Sequence, residues 1–164
     1  MNFHGIEKDS MLNGEGLRVV LWVSGCNHHC KGCHNPQTWD VNSGREFTYN
    51  DRMTLFGELG NPYISGFTAS GGDPLHPANF NEVLEICEYV KDVIGKTTWV
   101  YTGYEWEEIK HLEGLKYVDV LVGGKFVQEL ADVNYPYAGS TNQSLVDVQK
   151  SLKSGCKILY KVVQ

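Results

Sequence analysis

Segments of strand and helix character alternate along most of this 164-residue chain, and that alternation limits the folds open to it more than any other feature. Short β-rich runs fall at 17–23, 66–69, 98–102, 118–122 and 157–163, while helical spacing of apolar residues marks 50–59, 79–94, 105–111 and 144–153. The clearest helix sets Phe80, Val83, Leu84, Cys87, Val90 and Ile94 on one face, starts near Asn79 and stops at Gly95. Strands alternating with helices imply right-handed βαβ units and a mainly parallel sheet. Five strands and four helices are too few to close an eight-fold barrel. The expectation is an α/β fold whose sheet forms an open partial (βα) barrel. No repeat, low-complexity tract or linker divides the sequence, so 1–164 reads as a single domain, able to bury about 70% of its unfolded surface.

The first β-rich run is followed at once by Cys26-x-x-x-Cys30-x-x-Cys33. In a parallel sheet this loop lies at the carboxyl edge of a strand, where α/β proteins keep their sites. Three thiolates are one too few to close a tetrahedral zinc site or to saturate a four-iron cluster, so a coordination position stays open for chemistry. A Cys3His zinc site completed by His28, His29 or His34 is the competing reading. A disulfide framework is not, because five cysteines is an odd number and a chain of this length needs no staples. Cys87 reads as a small core residue on its helix, and Cys156 has no identifiable partner.

Two further loops follow strands. Ser70-Gly71-Gly72-Asp73-Pro74 places paired glycines where bare backbone can approach a ligand, and Tyr101-Thr102-Gly103-Tyr104 brings hydroxyls and a small residue to the same edge. Each alone is a turn signal. Together with the cysteine loop they share one rim.

Composition removes several function classes. A net charge of −6, with Lys and Arg scattered, offers no basic stripe for nucleic acid. No apolar run approaches membrane-spanning length and the N-terminus has no signal-peptide pattern, so a cytoplasmic protein is expected, with its thiols reduced.

The cysteine spacing after the first strand and Gly-Gly-acidic after the second resemble the signature of the radical S-adenosylmethionine enzymes. Longer strings resemble one branch, the activating enzymes of anaerobic ribonucleoside-triphosphate reductase. These are Asn13-Gly14-Glu15-Gly16, Val23-Ser24-Gly25-Cys26, Cys30-Lys31-Gly32-Cys33-His34-Asn35, Thr38-Trp39, residues 70–77, Trp99-Val100-Tyr101-Thr102-Gly103-Tyr104 and Gly139-Ser140-Thr141-Asn142-Gln143. The likeness runs from about residue 5 to about 148.

The resemblance implies that Cys26, Cys30 and Cys33 bind a [4Fe–4S] cluster whose fourth iron is chelated by S-adenosylmethionine. Reductive cleavage of that cofactor would give a 5′-deoxyadenosyl radical, which in this branch makes a glycyl radical on the large subunit of the reductase. It further implies that Gly71, Gly72 and Asp73 hold the methionine amino group, that Gly32, Cys33 and His34 line the cofactor, that Tyr101 and Thr102 lie near it, and that Lys125 meets its carboxylate. A low-potential electron donor such as flavodoxin is implied as well, and neither nucleic acid nor membrane. Two positions depart from the pattern. Gly32 stands where many relatives carry an aromatic, and Gly123 where the branch is expected to carry an acid. Other readings are a radical enzyme with another protein or a small molecule as substrate, and a non-catalytic zinc-binding interaction module.

Overall fold

The computed structural model describes residues 1–163. Four parallel strands form its centre: β2 (Arg18–Val23), β4 (Gly66–Gly71), β5 (Thr97–Tyr101) and β6 (Val120–Gly123). Antiparallel strands extend both sides, β1 (Asn2–Ser10) beside β2 and β7 (Ser144–Asp147) beside β6. A two-residue β3 (Arg45–Glu46) pairs with β1. The order is β3-β1-β2-β4-β5-β6-β7, so the seven-stranded sheet is mixed, parallel at its centre, and open.

Period-two alternation along the strands divides the two faces. Val19, Leu21 and Val23 of β2, Phe67 and Ala69 of β4, Val100 and Leu121 turn to one side. There they meet α1 (Tyr49–Leu59), α2 (Phe80–Tyr89), α3 (Trp106–Ile109) and α4 (Val148–Ser154), which all contribute to this one cluster. The opposite face gathers Trp99, Val120, Val122 and Leu145, with Tyr101, Tyr137 and Tyr160 packed on them. Buried Arg18 crosses that face and donates to Thr68 Oγ1 at 2.8 Å, to Thr97 Oγ1 at 3.0 Å and to three backbone carbonyls. Desolvation lowers its pKa to about 10, against the opposing pull of Tyr101, Asp119, Tyr160 and Glu15.

Local chemistry sets the helix ends. Thr48 and Asp51 form a reciprocal capping box before α1, and Glu105 and Glu108 do the same before α3. The helical spacing of 79–94 is realised as α2 continued by a π turn, Val90–Ile94, closed by Gly95 in the left-handed region.

The structure departs from the periodicity at both ends of the chain. Residues 144–153 divide into β7 and α4, with Asp147 as the N-cap accepting from the Lys150 amide. The β-branched Val146 and the open edge of β6 favour a strand over a longer helix. Residues 157–163 form no strand; they run beside β7 through the single bridge Val146–Leu159 and leave Tyr160 among the aromatic residues. The edge strand β1 carries Gly5 and four charged or imidazole side chains, which hid it from a hydrophobic pattern. Among the described residues no helix is long and apolar enough to cross a membrane.

Leu21, fully buried in the central strand, should lose about 2–5 kcal/mol of stability as Leu21→Ala. Gly57, inside α1 with open space around its α-carbon, should gain roughly 0.5–1 kcal/mol as Gly57→Ala. Urea unfolding of the two variants measures both.

Candidate functional site

The four central strands run in one direction, so the loops after Val23, Gly71, Tyr101 and Gly123 emerge at one edge of the sheet. They surround a cleft of about 840 Å³. Cys26, Cys30 and Cys33 line it together with His34, as do Gly71, Gly72, Asp73, Tyr101 and Thr102 from the two other loops. Gly32 and Lys125 are exposed and outside the lining. Gly32 takes a positive φ of 77° and packs toward the Gln128 side chain.

The cysteine loop is held at its root by backbone bonds from Gly25 to the Thr38 carbonyl at 2.7 Å and from Cys26 to the Trp39 carbonyl at 3.0 Å. All three thiols are free. Burial pushes the Cys26 thiol up, while the backbone N–H groups of His28 and His29 draw it down. The Asn35 amide points at Cys33 Sγ at 3.4 Å. Donors of this kind suit sulfur that carries negative charge, so the loop fits a metal-bound thiolate set.

That set does not have the form of a single-ion shell. Among the described residues no three His, Cys, Asp or Glu side chains gather closely enough to hold one metal ion. The histidines nearest the cysteines are engaged elsewhere: His28 with Asp73, His29 stacked on Trp39 at 4.5 Å, and His34 tilted against Phe126. A compact Cys3His zinc site is therefore not assembled. A cubane cluster, whose corners hold its ligands apart, suits a spread triplet.

The paired glycines are required by the protein's own packing. Gly71 has φ 108°, and a β-carbon on it would lie 2.7 Å from the Val23 backbone. One on Gly72 would lie 2.6 Å from the Gly25 carbonyl oxygen. The Gly72 and Asp73 amides donate to the Val23 and Gly25 carbonyls at 2.8 and 2.7 Å. Asp73 itself is buried, and its carboxylate accepts from the Leu75 amide, the Gly103 amide, the Thr102 hydroxyl and His28 Nε2. Tyr101 donates its hydroxyl to the Tyr137 carbonyl at 2.6 Å, and burial raises its pKa.

Sequence reasoning passed over the far wall of the cleft. Residues 131–139 cross its mouth with Tyr135 and Tyr137 inward, and Trp22, Met11 and Leu12 close the side near β1. That wall has no periodic pattern; its signal was only a cluster of Asn, Pro, Tyr and Gly after β6.

Residues 12–146 match the family model described as a 4Fe-4S single cluster domain. The chain is 44% identical over 146 residues to the anaerobic ribonucleoside-triphosphate reductase-activating protein of Enterobacteria phage T4, covering 88% of this chain and 93% of that one. Proteins of the same name from Vibrio cholerae and Escherichia coli K12 are 42% and 40% identical over 148 residues, covering 87% of this chain and 96% of each.

Because Gly72 touches the backbone just before Cys26, Gly72→Val should disturb the cysteine loop as well as the loop it belongs to. After anaerobic reconstitution it should retain less iron and melt lower than the wild type, while Gly57→Ala retains iron normally. Iron content and thermal unfolding give the comparison.

Proposed function

The chain belongs to the anaerobic ribonucleoside-triphosphate reductase-activating proteins, and from that premise we propose how its residues divide the work of activation. It is an activating enzyme that generates the glycyl radical of the reductase, using a [4Fe–4S] cluster and S-adenosylmethionine. When bound, this pair supplies one-electron cleavage of the sulfonium and removal of a hydrogen atom from a glycine of the reductase.

Cys26, Cys30 and Cys33 would hold the cluster, and the N–H groups of His28 and His29 at Cys26 and of Asn35 at Cys33 would support the negative charge of that assembly. Gly71, Gly72 and Asp73 form the seat of the methionine end. The Gly72 and Asp73 amides are already used on Val23 and Gly25, and the Asp73 carbonyl on His76 and Asn79, so the Gly71 and Gly72 carbonyls are what this segment offers an ammonium group. Tyr101 and Thr102 form the floor, and Cys33 and His34 the side next to the cluster, with Gly32 behind them in the loop. Lys125, exposed between the lining residues Gly124 and Phe126, would supply a positive charge for the cofactor carboxylate. The open sheet with its helices on one face is the partial (βα) barrel of the radical S-adenosylmethionine type, and 1–164 is one such domain.

The observation that carries this reading is the convergence of three strand-end loops on one cleft with three free thiols in it. Its mouth favours a macromolecular substrate. Met11 is 71% exposed, Leu12 82% and Val133 101%, all lining the opening. Apolar side chains so placed suit a protein surface that seals the site and keeps water and buffer from a reactive radical. The reductase large subunit is that partner, a low-potential protein such as flavodoxin the electron donor, and the cytoplasm, with its reduced thiols, the compartment.

Reconstituted protein should hold about four irons per chain, and Cys26→Ala, Cys30→Ala or Cys33→Ala should each abolish the broad thiolate-to-iron absorption. Cys87→Ala and Cys156→Ala should keep it. With reductant and S-adenosylmethionine, the wild type should cleave the cofactor slowly alone and produce a paramagnetic glycyl radical when the reductase is added. Cleavage with no radical on the reductase would overturn the assignment of the substrate.

A further inference from the structure

Asp73 is the most heavily used side chain at the rim. It is 2% exposed, and its sole ion-pair partner among the described residues is the imidazole of His28, itself 8% exposed. Oδ1 accepts from the Leu75 amide at 2.8 Å. Oδ2 accepts from the Gly103 amide at 3.0 Å and from the Thr102 hydroxyl at 3.0 Å, and His28 Nε2 lies 2.6 Å from it. An amide can only donate, and Thr102 Oγ1 accepts from the Tyr104 amide at 3.2 Å, which turns its own proton toward Asp73. The shared oxygen is therefore an acceptor throughout, and His28 Nε2 carries the hydrogen.

One carboxylate thus joins all three loops. His28 lies midway between Cys26 and Cys30, Asp73 follows the paired glycines, and Thr102 with Gly103 follows β5. The His28 ring is wedged edge-on against Tyr104, 4.7 Å between centroids, and fills the space that Gly103 leaves by having no side chain. Before Cys26 the loop is anchored by backbone; from Cys26 to Cys30 this imidazole is its side-chain anchor in the rim.

We propose that His28 is a positioning residue, giving its Nε2–H to Asp73 so that the Cys26–Cys30 half of the loop is held against the Gly-Gly and Thr-Gly loops and S-adenosylmethionine is seated correctly beside the cluster. The inference rests on the assignment of the cluster to Cys26, Cys30 and Cys33 made above. Asp73 then acts through His28, Thr102 and Gly103, which occupy its Oδ2 fully, and the methionine ammonium is met by the carbonyls of Gly71 and Gly72. Groups that orient metal ligands from behind commonly change affinity or activity 10- to 100-fold when removed.

The test compares His28→Gln, whose amide N–H has about the reach of Nε2, with His28→Asn, which is one methylene shorter, both in the full chain reconstituted without oxygen. Both should hold iron close to the wild-type amount. The Gln variant should keep the S-adenosylmethionine-induced change in the paramagnetic resonance spectrum of the reduced cluster. The Asn variant should need roughly 10- to 100-fold more S-adenosylmethionine to show it. Asp73→Asn should reproduce that loss, and the double variant His28→Asn/Asp73→Asn should be no worse than the more impaired single variant, as expected for two ends of one contact. An Asn variant at position 28 that responds at the wild-type concentration overturns the proposal alone. Loss of iron from both position-28 variants also overturns it, by making His28 a residue of the fold. A wild-type protein that binds no cluster overturns the cluster assignment and this proposal together.

Discussion

The Gly72 amide donates to the Val23 carbonyl and the Asp73 amide to the Gly25 carbonyl, so the pairing of β2 with β4 continues past both strands into the loops that carry the chemistry. The approach is so close that neither Gly71 nor Gly72 has room for a β-carbon. Ladder bonds of this kind are ordinary inside a sheet. Here they fix where the cysteine loop begins, since Gly25 and Cys26 are also bonded on their other side to Thr38 and Trp39. The cysteine triplet thus starts from backbone held on both sides, and the rest of the rim is arranged around that root. The glycine pair, which reads in sequence as room for a ligand, is in the first place room for Val23 and Gly25.

From that root the electrostatics run outward in one direction. Burial opposes the charge on Cys26, and the only local compensation is backbone N–H. A bound iron supplies the missing positive charge outright, as metals do for the thiols they coordinate. The other buried charge of the rim, Asp73, is treated differently. It is stabilised by four donors from the surrounding loops and turned away from any free role. Two acidic groups in one cleft are therefore treated differently: the carboxylate is met by protein hydrogen bonds, and the Cys26 thiol by backbone N–H groups alone.

The central fold was legible because buried parallel strands write continuous apolar runs, such as Val19 to Val23, and because Gly95 stops the clearest helical pattern. The place of the cysteine loop at the end of β2 was legible from the apolar run before it. What stayed hidden is tertiary in origin. β1 is a charged edge strand whose pairing with β2 is decided by a neighbour, and Ser144–Asp147 becomes a strand because β6 has an open edge to fill. His28 read as one of three histidines near a metal site; its role depends on Asp73, 45 residues away, which no local pattern encodes. The wall at 131–139 is invisible for the same reason, being shaped by Tyr101 holding the Tyr137 carbonyl.

Gly123, where the resemblance implies an acid, is fixed by packing. It ends β6 inside the protein, and a β-carbon placed there would stand 3.0 Å from the Tyr104 carbonyl oxygen. The same oxygen accepts the Gly124 amide at 2.9 Å, so the turn after β6 and the turn after β5 are drawn together through Tyr104. Tyr104 in turn supports the His28 ring edge-on. An acidic residue at 123 would bring a carboxylate to the rim, but its β-carbon would press on Tyr104 and through it on the histidine that meets Asp73. With glycine at this position the chain gains a close fit behind the cysteine loop. The position therefore bears on the cysteine loop through packing.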